Sequence, residues 1–325
     1  MTHNITILSG VVPYFHYKRF FKIQYKLFLQ KYKNYKPRPF ELSMYGGHYG
    51  VSRSMIEGLK GLKDVSVNYN PSKKNEIKET VVVISDINAL RQAIELKKKG
   101  KIKKLIAGPN LGILPTDYKE ISSEFIDVYI THADWCLDFF IDLETRLQDK
   151  MRIWPAGINE EYWKPKEKNK TGKKILFFKK QVNEKLYKNC KQIAQKHNFE
   201  VIELKKGNYT FLQYKELLQE VDFLVHFSAH ESQGISLSES WSMNVPTMVW
   251  NTEEWEVNNN LKIKCSSAPY LNNENGRFFK NEKEFENLFK TNQFDSKLYY
   301  PRKYVLENLT DKKSAQILID IINNI

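Results

Sequence analysis

The feature that most constrains this chain is an alternation. Short apolar runs of strand length recur along it, each followed by an amphipathic segment of helix length. "VVVISD" leads into "NALRQAIELKKKG", "DVYITH" into "WCLDFFIDLETRLQ", "KKILFF" into "NEKLYKNCKQIAQKH", and "DFLVHFSA" into "ISLSESWSM". Runs that are apolar throughout, not at every second residue, belong to strands covered on both faces. Helices between such strands return the chain for another parallel strand. The expected class is therefore α/β with parallel sheets.

The alternation falls into two series. Between them "NEEYWKPKEKNKTGKK", residues 159–174, is polar and basic with one proline and reads as a linker. The 325 residues exceed one typical core and suit two. Two Rossmann-like domains facing a central cleft are expected, over 1–160 and 173–325, with the last helix packing back on the first. At 41% hydrophobic and 13% aromatic residues the chain can fill both cores, which excludes global disorder. Cys136, Cys190 and Cys265 are odd in number and far apart, and no C-x-x-C occurs. Neither a zinc site nor a disulfide framework is indicated, and a reducing cytoplasm fits. The opening residues lack the charge-first pattern of a secretory signal, and no apolar stretch is long enough to span a bilayer.

In parallel sheets, ligands bind where strands end and loops enter helices. Three such junctions carry polar residues. In "HESQGISLSESW", His230 to Trp241, Glu231 stays on the turn and Glu239 lies about one turn into a helix that begins near Ile235. The exposed amides of that helix start favour an anion, and Gly234 permits close backbone approach. Eight residues of helix would span about 12 Å. That exceeds the roughly 5–9.5 Å of a glycosidase carboxylate pair and suits two acceptors gripping one extended ligand. A stabilising acid at a helix start plus a surface glutamate is the plainer alternative. In "ILFFKKQVNEKLYKN" an apolar strand runs into Lys179 and Lys180, with Lys185 near a helix start. This is an anion pocket or a solvated face. In "MYGGHYGVSRSMIEGL" Gly46, Gly47 and Gly50 form a loop able to approach a ligand, or a plain turn; it is neither G-x-G-x-x-G nor a P-loop.

Together the junctions resemble the retaining GT-B glycosyltransferases, above all glycosyltransferase family 4. That family has a Glu, seven residues, then a second Glu, with Gly three after the first and a Pro-led strand following; here these are Glu231, Gly234, Glu239 and Pro246. Lys180 falls at the family's Arg and Glu184–Lys185 at its Glu-Lys, while Lys179 replaces the usual Gly. "YGVSRSMIEGL", "WPAGINEEYWKP" and "PRKYVLENLTDKKSAQILIDI" resemble its first loop and helix, its interdomain strand and its C-terminal helices. The similarity covers most of residues 40–325, closely in the second domain and loosely in the first.

The resemblance implies a nucleotide-diphosphate sugar as donor substrate, with no separate cofactor. Lys180 and Lys185 would neutralise the diphosphate, and the Gln233–Gly234–Ile235 backbone would add N–H donors. Glu231 would hold sugar hydroxyls and Glu239 the ribose, with Gly46 and Gly47 counted among the donor-binding residues. Transfer would retain the anomeric configuration. No D-x-D occurs, so no metal clamp is indicated. Where many relatives place a histidine after a first-domain strand, "LIAGPNLG" offers Asn110, which orients by hydrogen bonds but moves no proton. His132 stands at the next strand end, where a structural role is the ordinary one. Glu231, Lys180, Lys185 and Asn110 are thus the expected catalytic residues.

The net charge of +13 is concentrated: residues 1–40 hold eight basic residues and no acid. Within "YFHYKRFFKIQYKLFLQKYKNYK", residues 14–36, Tyr17, Phe20, Phe21, Gln24, Leu27 and Phe28 share one helical face, with Lys18, Lys22 and Lys26 in a row beside it. Three readings stand open: a helix on an anionic membrane surface, one packing its aromatics on the first domain, and one binding nucleic acid. The expected function is sugar transfer to a cell-surface or lipid-linked glycan, in the cytoplasm or at the inner face of a membrane. The alternatives are a glycosyltransferase acting on modified DNA bases, a non-catalytic glycan- or nucleic-acid-binding protein of the same shell, and a sugar-nucleotide epimerase.

Overall fold

The computed structural model describes residues 3–10, 17–33, 47–166, 173–258 and 261–325. The earlier elements are β1 (His3–Ser9), α1 (Tyr17–Tyr32), α2 (Gly47–Lys60), β2 (Val65–Tyr69), β3 (Thr80–Ile84), α3 (Ile87–Lys98), β4 (Lys104–Ala107), β5 (Val128–Thr131), α4 (Asp134–Leu143) and β6 (Met151–Ile153). They are followed by β7 (Lys174–Lys179), α5 (Glu184–Lys196), β8 (Glu200–Lys205), α6 (Phe211–Glu220), β9 (Phe223–Phe227), α7 (Ile235–Ser242), β10 (Thr247–Trp250), β11 (Glu254–Asn258), β12 (Leu261–Lys264), β13 (Gly276–Phe279), α8 (Glu282–Lys290), α9 (Pro301–Asn308) and α10 (Asp311–Asn323). Strand and helix alternate as the apolar runs predict, in an α/β protein with two parallel sheets.

The chain divides into two compact units, one of Met1–Tyr14, Gly47–Gly157 and Leu309–Ile325, the other of Phe15–Gly46 and Ile158–Asn308. The first unit carries a sheet of order β2-β1-β3-β4-β5-β6, parallel throughout. The second carries β13-β10-β9-β7-β8, also parallel. The central strands are buried from end to end: β5 and β9 have no exposed residue. That is why their sequences read as unbroken apolar runs. Helix starts are set by local polar groups. Asn183 caps α5 through the Lys185 and Leu186 amides, and Thr210 and Gln213 form a reciprocal capping box on α6.

The last helix belongs to the first unit. Ser314 Oγ donates to the Pro155 carbonyl at 2.7 Å, Trp154 Nε1 to the Ser314 carbonyl at 3.0 Å, and Lys104 Nζ to the Ile322 carbonyl at 2.6 Å. Arg53 on α2 grips Asp311 through two parallel bonds, at 2.5 and 3.0 Å, a geometry that fixes orientation as well as charge. The helices touch so closely at Gly58 that a Cβ there would lie 2.3 Å from the Asp311 carbonyl oxygen.

Two sequence readings are corrected. Residues 158–166 are not a free linker: Trp163 is 4% exposed, its ring centroid 6.0 Å from Phe211 and 5.9 Å from Tyr214. Its carbonyl accepts from Ser242 Oγ at 2.7 Å and Arg302 at 3.1 Å. The large apolar area of one tryptophan outweighs its polar neighbours. The antiparallel hairpin β11–β12 was not expected. Gly46 and residues 167–172 of the expected linker lie outside the described residues.

Gly58→Ala forces a methyl group against the Asp311 backbone carbonyl at the start of α10, which cannot swing aside as a flexible side chain would. We expect a loss of about 1–3 kcal/mol, visible as a lowered thermal midpoint; an unchanged midpoint would show that α2 and α10 are less closely seated.

Candidate active site

In the second unit, β7, β8 and β9 end side by side, and each delivers a charged or polar group to the same place. Strand alternation separates the two lysines at the end of β7. Lys179 turns one way, to pair with Glu184 and lie 4.8 Å from the Tyr187 ring centre. Lys180 turns the other way and forms a direct ion pair with Glu231. Its amide bonds the Phe227 carbonyl at 2.8 Å, tying the end of β7 to the end of β9.

The loop that carries Glu231 is clamped by the segment after β10. The Glu231 amide donates to the Ser266 carbonyl at 2.9 Å, Ser267 Oγ to the Ser228 carbonyl at 2.8 Å, and Thr252 Oγ1 to the Ala229 carbonyl at 3.0 Å. Beside it the His230 ring stacks on Trp255 of the hairpin, with centroids 3.9 Å apart. Gly234, at φ 79°, opens α7 from the left-handed conformation and brings its first turn against this loop; a Cβ there would stand 2.9 Å from Leu237 Cδ1. Gln233 is buried at this turn and Ile235 is half-buried as the first residue of the helix. The turn presents backbone N–H groups at a helix start, where negative charge is favoured.

The electrostatics follow from burial. The Glu231 side chain is only 11% exposed. Burial alone would raise its pKa, but the charge of Lys180 and the hydrogen bond from His226 Nε2, at 3.1 Å, hold the carboxyl well below the usual range. Glu231 is therefore an ionised acceptor. Lys206, whose amide bonds the Lys179 carbonyl at 2.9 Å, adds a second ammonium. The charge of Lys180, then partial burial, pulls the Lys206 pKa down, against the opposing pull of Glu231. Two cations held close enough to repel, facing a single carboxylate, favour a further anion nearby.

Glu239 lies on α7 and is 6% exposed, so it is not a surface glutamate. Tyr209 and Tyr214, 5.5 Å apart, both have raised pKa values, first from burial and then from the charges of Glu239 and Glu231. The two carboxylates therefore act on one pair of tyrosines. The 12 Å reasoned from eight residues of helix does not apply, because Glu231 precedes the helix.

The structure brings together Lys180, Gln233, Gly234, Ile235, Glu231 and Glu239. It does not bring Lys185 to them: that side chain is exposed in the first turn of α5, its amide is held by Asn183 at 2.9 Å, and its charge bears on Glu282. His226 and Lys206 were missed as site residues. His226 was legible as the one polar residue in "FLVHF", and Lys206 opens the polar segment "KGNYT" that follows β8.

In the first unit, Asn110 follows β4 and its carboxamide nitrogen is buried with no hydrogen-bond partner, a donor available to a ligand. His132 follows the neighbouring strand β5. It is buried, with Nδ1 3.3 Å from the Trp154 carbonyl. Burial pushes its pKa down to about 4, opposed by the Trp154 carbonyl and assisted by the charge of His48. It is neutral at pH 7, as a structural histidine would be. Gly47 is the first residue of α2. Among the described residues no group of three His, Cys, Asp or Glu is placed to hold a metal.

Neither a family model nor a curated protein matches this sequence. Solved structures do. The chain is similar over 99% of its length to Anabaena HepE, in complex with UDP and glucose, with 10% identity, 100% of that chain covered and a TM-score of 0.56. It is similar over 99% to the lipopolysaccharide outer core galactosyltransferase WaaB, with 12% identity, 99% of that chain covered and a TM-score of 0.58. Sucrose-phosphate synthase from Thermosynechococcus elongatus matches over 99% of this chain and 98% of its own, at 8% identity and a TM-score of 0.57. At such identities the likeness is one of fold, and the fold is that of the GT-B glycosyltransferases.

Lys180→Ala removes the principal cation beside a buried carboxylate. We expect it to cost about 3 kcal/mol at pH 7. Because the folded pKa of Glu231 is depressed, the pair's contribution is full above the unfolded value of about 4.3 and fades as pH falls toward the folded value. The gap between wild-type and variant melting curves should therefore narrow below about pH 4; a gap that stays constant with pH would remove Glu231 from the explanation.

Proposed function

We propose that this chain is a glycosyltransferase that moves a sugar from a nucleoside-diphosphate sugar to a hydroxyl acceptor, with retained anomeric configuration and without a metal. The observation that carries this reading is the cluster at the ends of β7, β8 and β9: Lys180 and Lys206 beside an ionised, buried Glu231, against the amide end of α7. In sugar transfer, negative charge grows on the departing diphosphate. Ammonium groups and backbone N–H donors already in place stabilise that charge without reorganising. Glu231 accepts hydrogen bonds from hydroxyls of the transferred sugar, and Glu239 from the ribose. The bound UDP and glucose of HepE are the kind of ligand such a cluster would receive. Asn110, with its unpartnered amide, is assigned to orienting the acceptor or the sugar.

The acceptor is assigned to a cell-surface or lipid-linked glycan, with the enzyme working from the cytoplasmic face of a membrane. This rests on α1, where Phe21, Tyr25, Phe28 and Tyr32 recur at spacings of four, three and four and are 65%, 62%, 51% and 62% exposed. That is one helical face of aromatic rings, in a segment rich in lysine and free of acids. Rings of this kind enter the headgroup region while cations meet anionic lipid. No helix among the described residues is long and apolar enough to cross a membrane.

Two experiments test this. Thermal shift against UDP-, GDP-, ADP- and dTDP-glucose identifies the nucleotide, since a ligand bound only by the folded state raises the midpoint. With the donor that shifts it, transfer or hydrolysis should retain the anomeric configuration by NMR and survive EDTA, and Glu231→Gln should lower kcat by about a hundredfold or more. No shift with any donor, or an inverted product, would overturn the assignment. Separately, co-sedimentation with phosphatidylglycerol vesicles but not phosphatidylcholine vesicles should be seen, and should fall when Phe21 and Phe28 are changed to Ser. Salt-sensitive retention on DNA without vesicle binding would favour a DNA acceptor instead.

A further inference from the structure

His226 stands in mid-strand on β9, between Val225 and Phe227, and is wholly buried. A buried imidazole is costly unless its nitrogens are satisfied. Nε2 is, at 3.1 Å from Glu231 Oε1. Nδ1 is buried with no hydrogen-bond partner. An ionised Glu231 can only accept, so the shared proton sits on Nε2 and Nδ1 carries a bare lone pair. Leucine would fill this place in the strand without that cost. The imidazole faces the Phe178 ring on β7, 5.3 Å away, the Glu231 carboxylate from the loop after β9, and the cations Lys180 and Lys206 from the ends of β7 and β8. Burial first, and then those two cations, act against its protonation, with Glu231 opposing them. The ring is thus a neutral, directed donor, pinned by a strand paired on both sides, to Phe178 and to Val249.

We propose that His226 is the positioning residue of the donor-sugar site: its Nε2–H holds the Glu231 carboxylate in place when the Lys180 ammonium is drawn to the donor's diphosphate. This rests on the nucleotide-sugar reading above. Lys180 and His226 both bond Oε1 of Glu231. Lys180 is a flexible cation, and a diphosphate offers it more negative charge than one carboxylate. His226 is neutral and fixed in the sheet, so it does not follow. Without it, Glu231 would lose orientation at the moment the sugar needs an acceptor aimed at its hydroxyls. A group that reacts or binds is only as well placed as the residue that supports it.

The first test needs no donor. In the full chain labelled with ¹⁵N-histidine, long-range proton–nitrogen NMR at pH 7 should show His226 as the neutral Nε2–H tautomer; an Nδ1–H tautomer or a charged ring overturns the proposal. The second compares His226→Leu with His226→Gln, whose amide nitrogen reaches near the place of Nε2, using whichever of UDP-, GDP-, ADP- or dTDP-glucose is turned over. His226→Leu should melt within a few degrees of wild type, bind the bare nucleoside diphosphate within about twofold, and lose about ten- to a hundredfold in kcat. His226→Gln should recover most of that rate. Unchanged kcat in His226→Leu overturns the proposal, as does a His226→Gln as slow as the leucine variant. Parallel loss of nucleotide binding in His226→Leu also does so, because it would mark a role in holding the fold. If wild type turns over none of these donors, the nucleotide-sugar reading fails, and the tautomer measurement still decides whether His226 positions Glu231.

Discussion

A carboxylate buried at the edge of a sheet must be paired, and the second unit is arranged around that requirement. Lys180 and His226 hold Glu231 ionised there against the cost of burial. The cluster draws on three strands: Lys180 directly follows β7, His226 lies within β9, and Lys206 follows β8. Such a cluster is a poor way to gain stability, since an apolar replacement of similar volume is often as good or better. Its presence in a core of phenylalanine, valine and leucine makes it a candidate for use.

The fold supplies the geometry for that use. Parallel strands end together, so groups far apart in sequence, such as Lys180, Lys206 and Glu231, arrive at one end of the sheet. The loop bearing Glu231 is not left to its own flexibility. Ser266, Ser267 and Thr252 bond its backbone from the segment after β10, and Trp255 stacks on His230. Rigid support of this kind fixes an acceptor before a ligand arrives, which is what electrostatic stabilisation of a transition state requires.

The sequence was most legible where one residue's chemistry and one local period were enough. The apolar runs identified the parallel strands, and the Glu231–Gly234–Glu239 spacing identified the turn and helix of the candidate site. It was least legible where a side chain's partner comes from another strand. Lys180 and Lys185 look alike in sequence, both near a helix start, yet only Lys180 lies on the strand face that reaches Glu231. His226 looked like an interruption in an apolar run. The hairpin β11–β12 carried a readable signal in the alternation of Trp255, Val257, Leu261 and Ile263 around a run of asparagines in the sequence. It is a departure from the strand–helix rhythm, so the rhythm hid it.

By itself the amino-acid order determined the class of fold, the two series of strands and the turn at Gly234, because backbone preference and the burial period act over a few neighbouring residues. Only the tertiary structure decided which cations meet Glu231, that Glu239 is buried, that Trp163 is packed and not part of a linker, and that α10 seats on Gly58. Those outcomes depend on strand order and on which face of a strand or helix meets its neighbour, and long-range packing sets both.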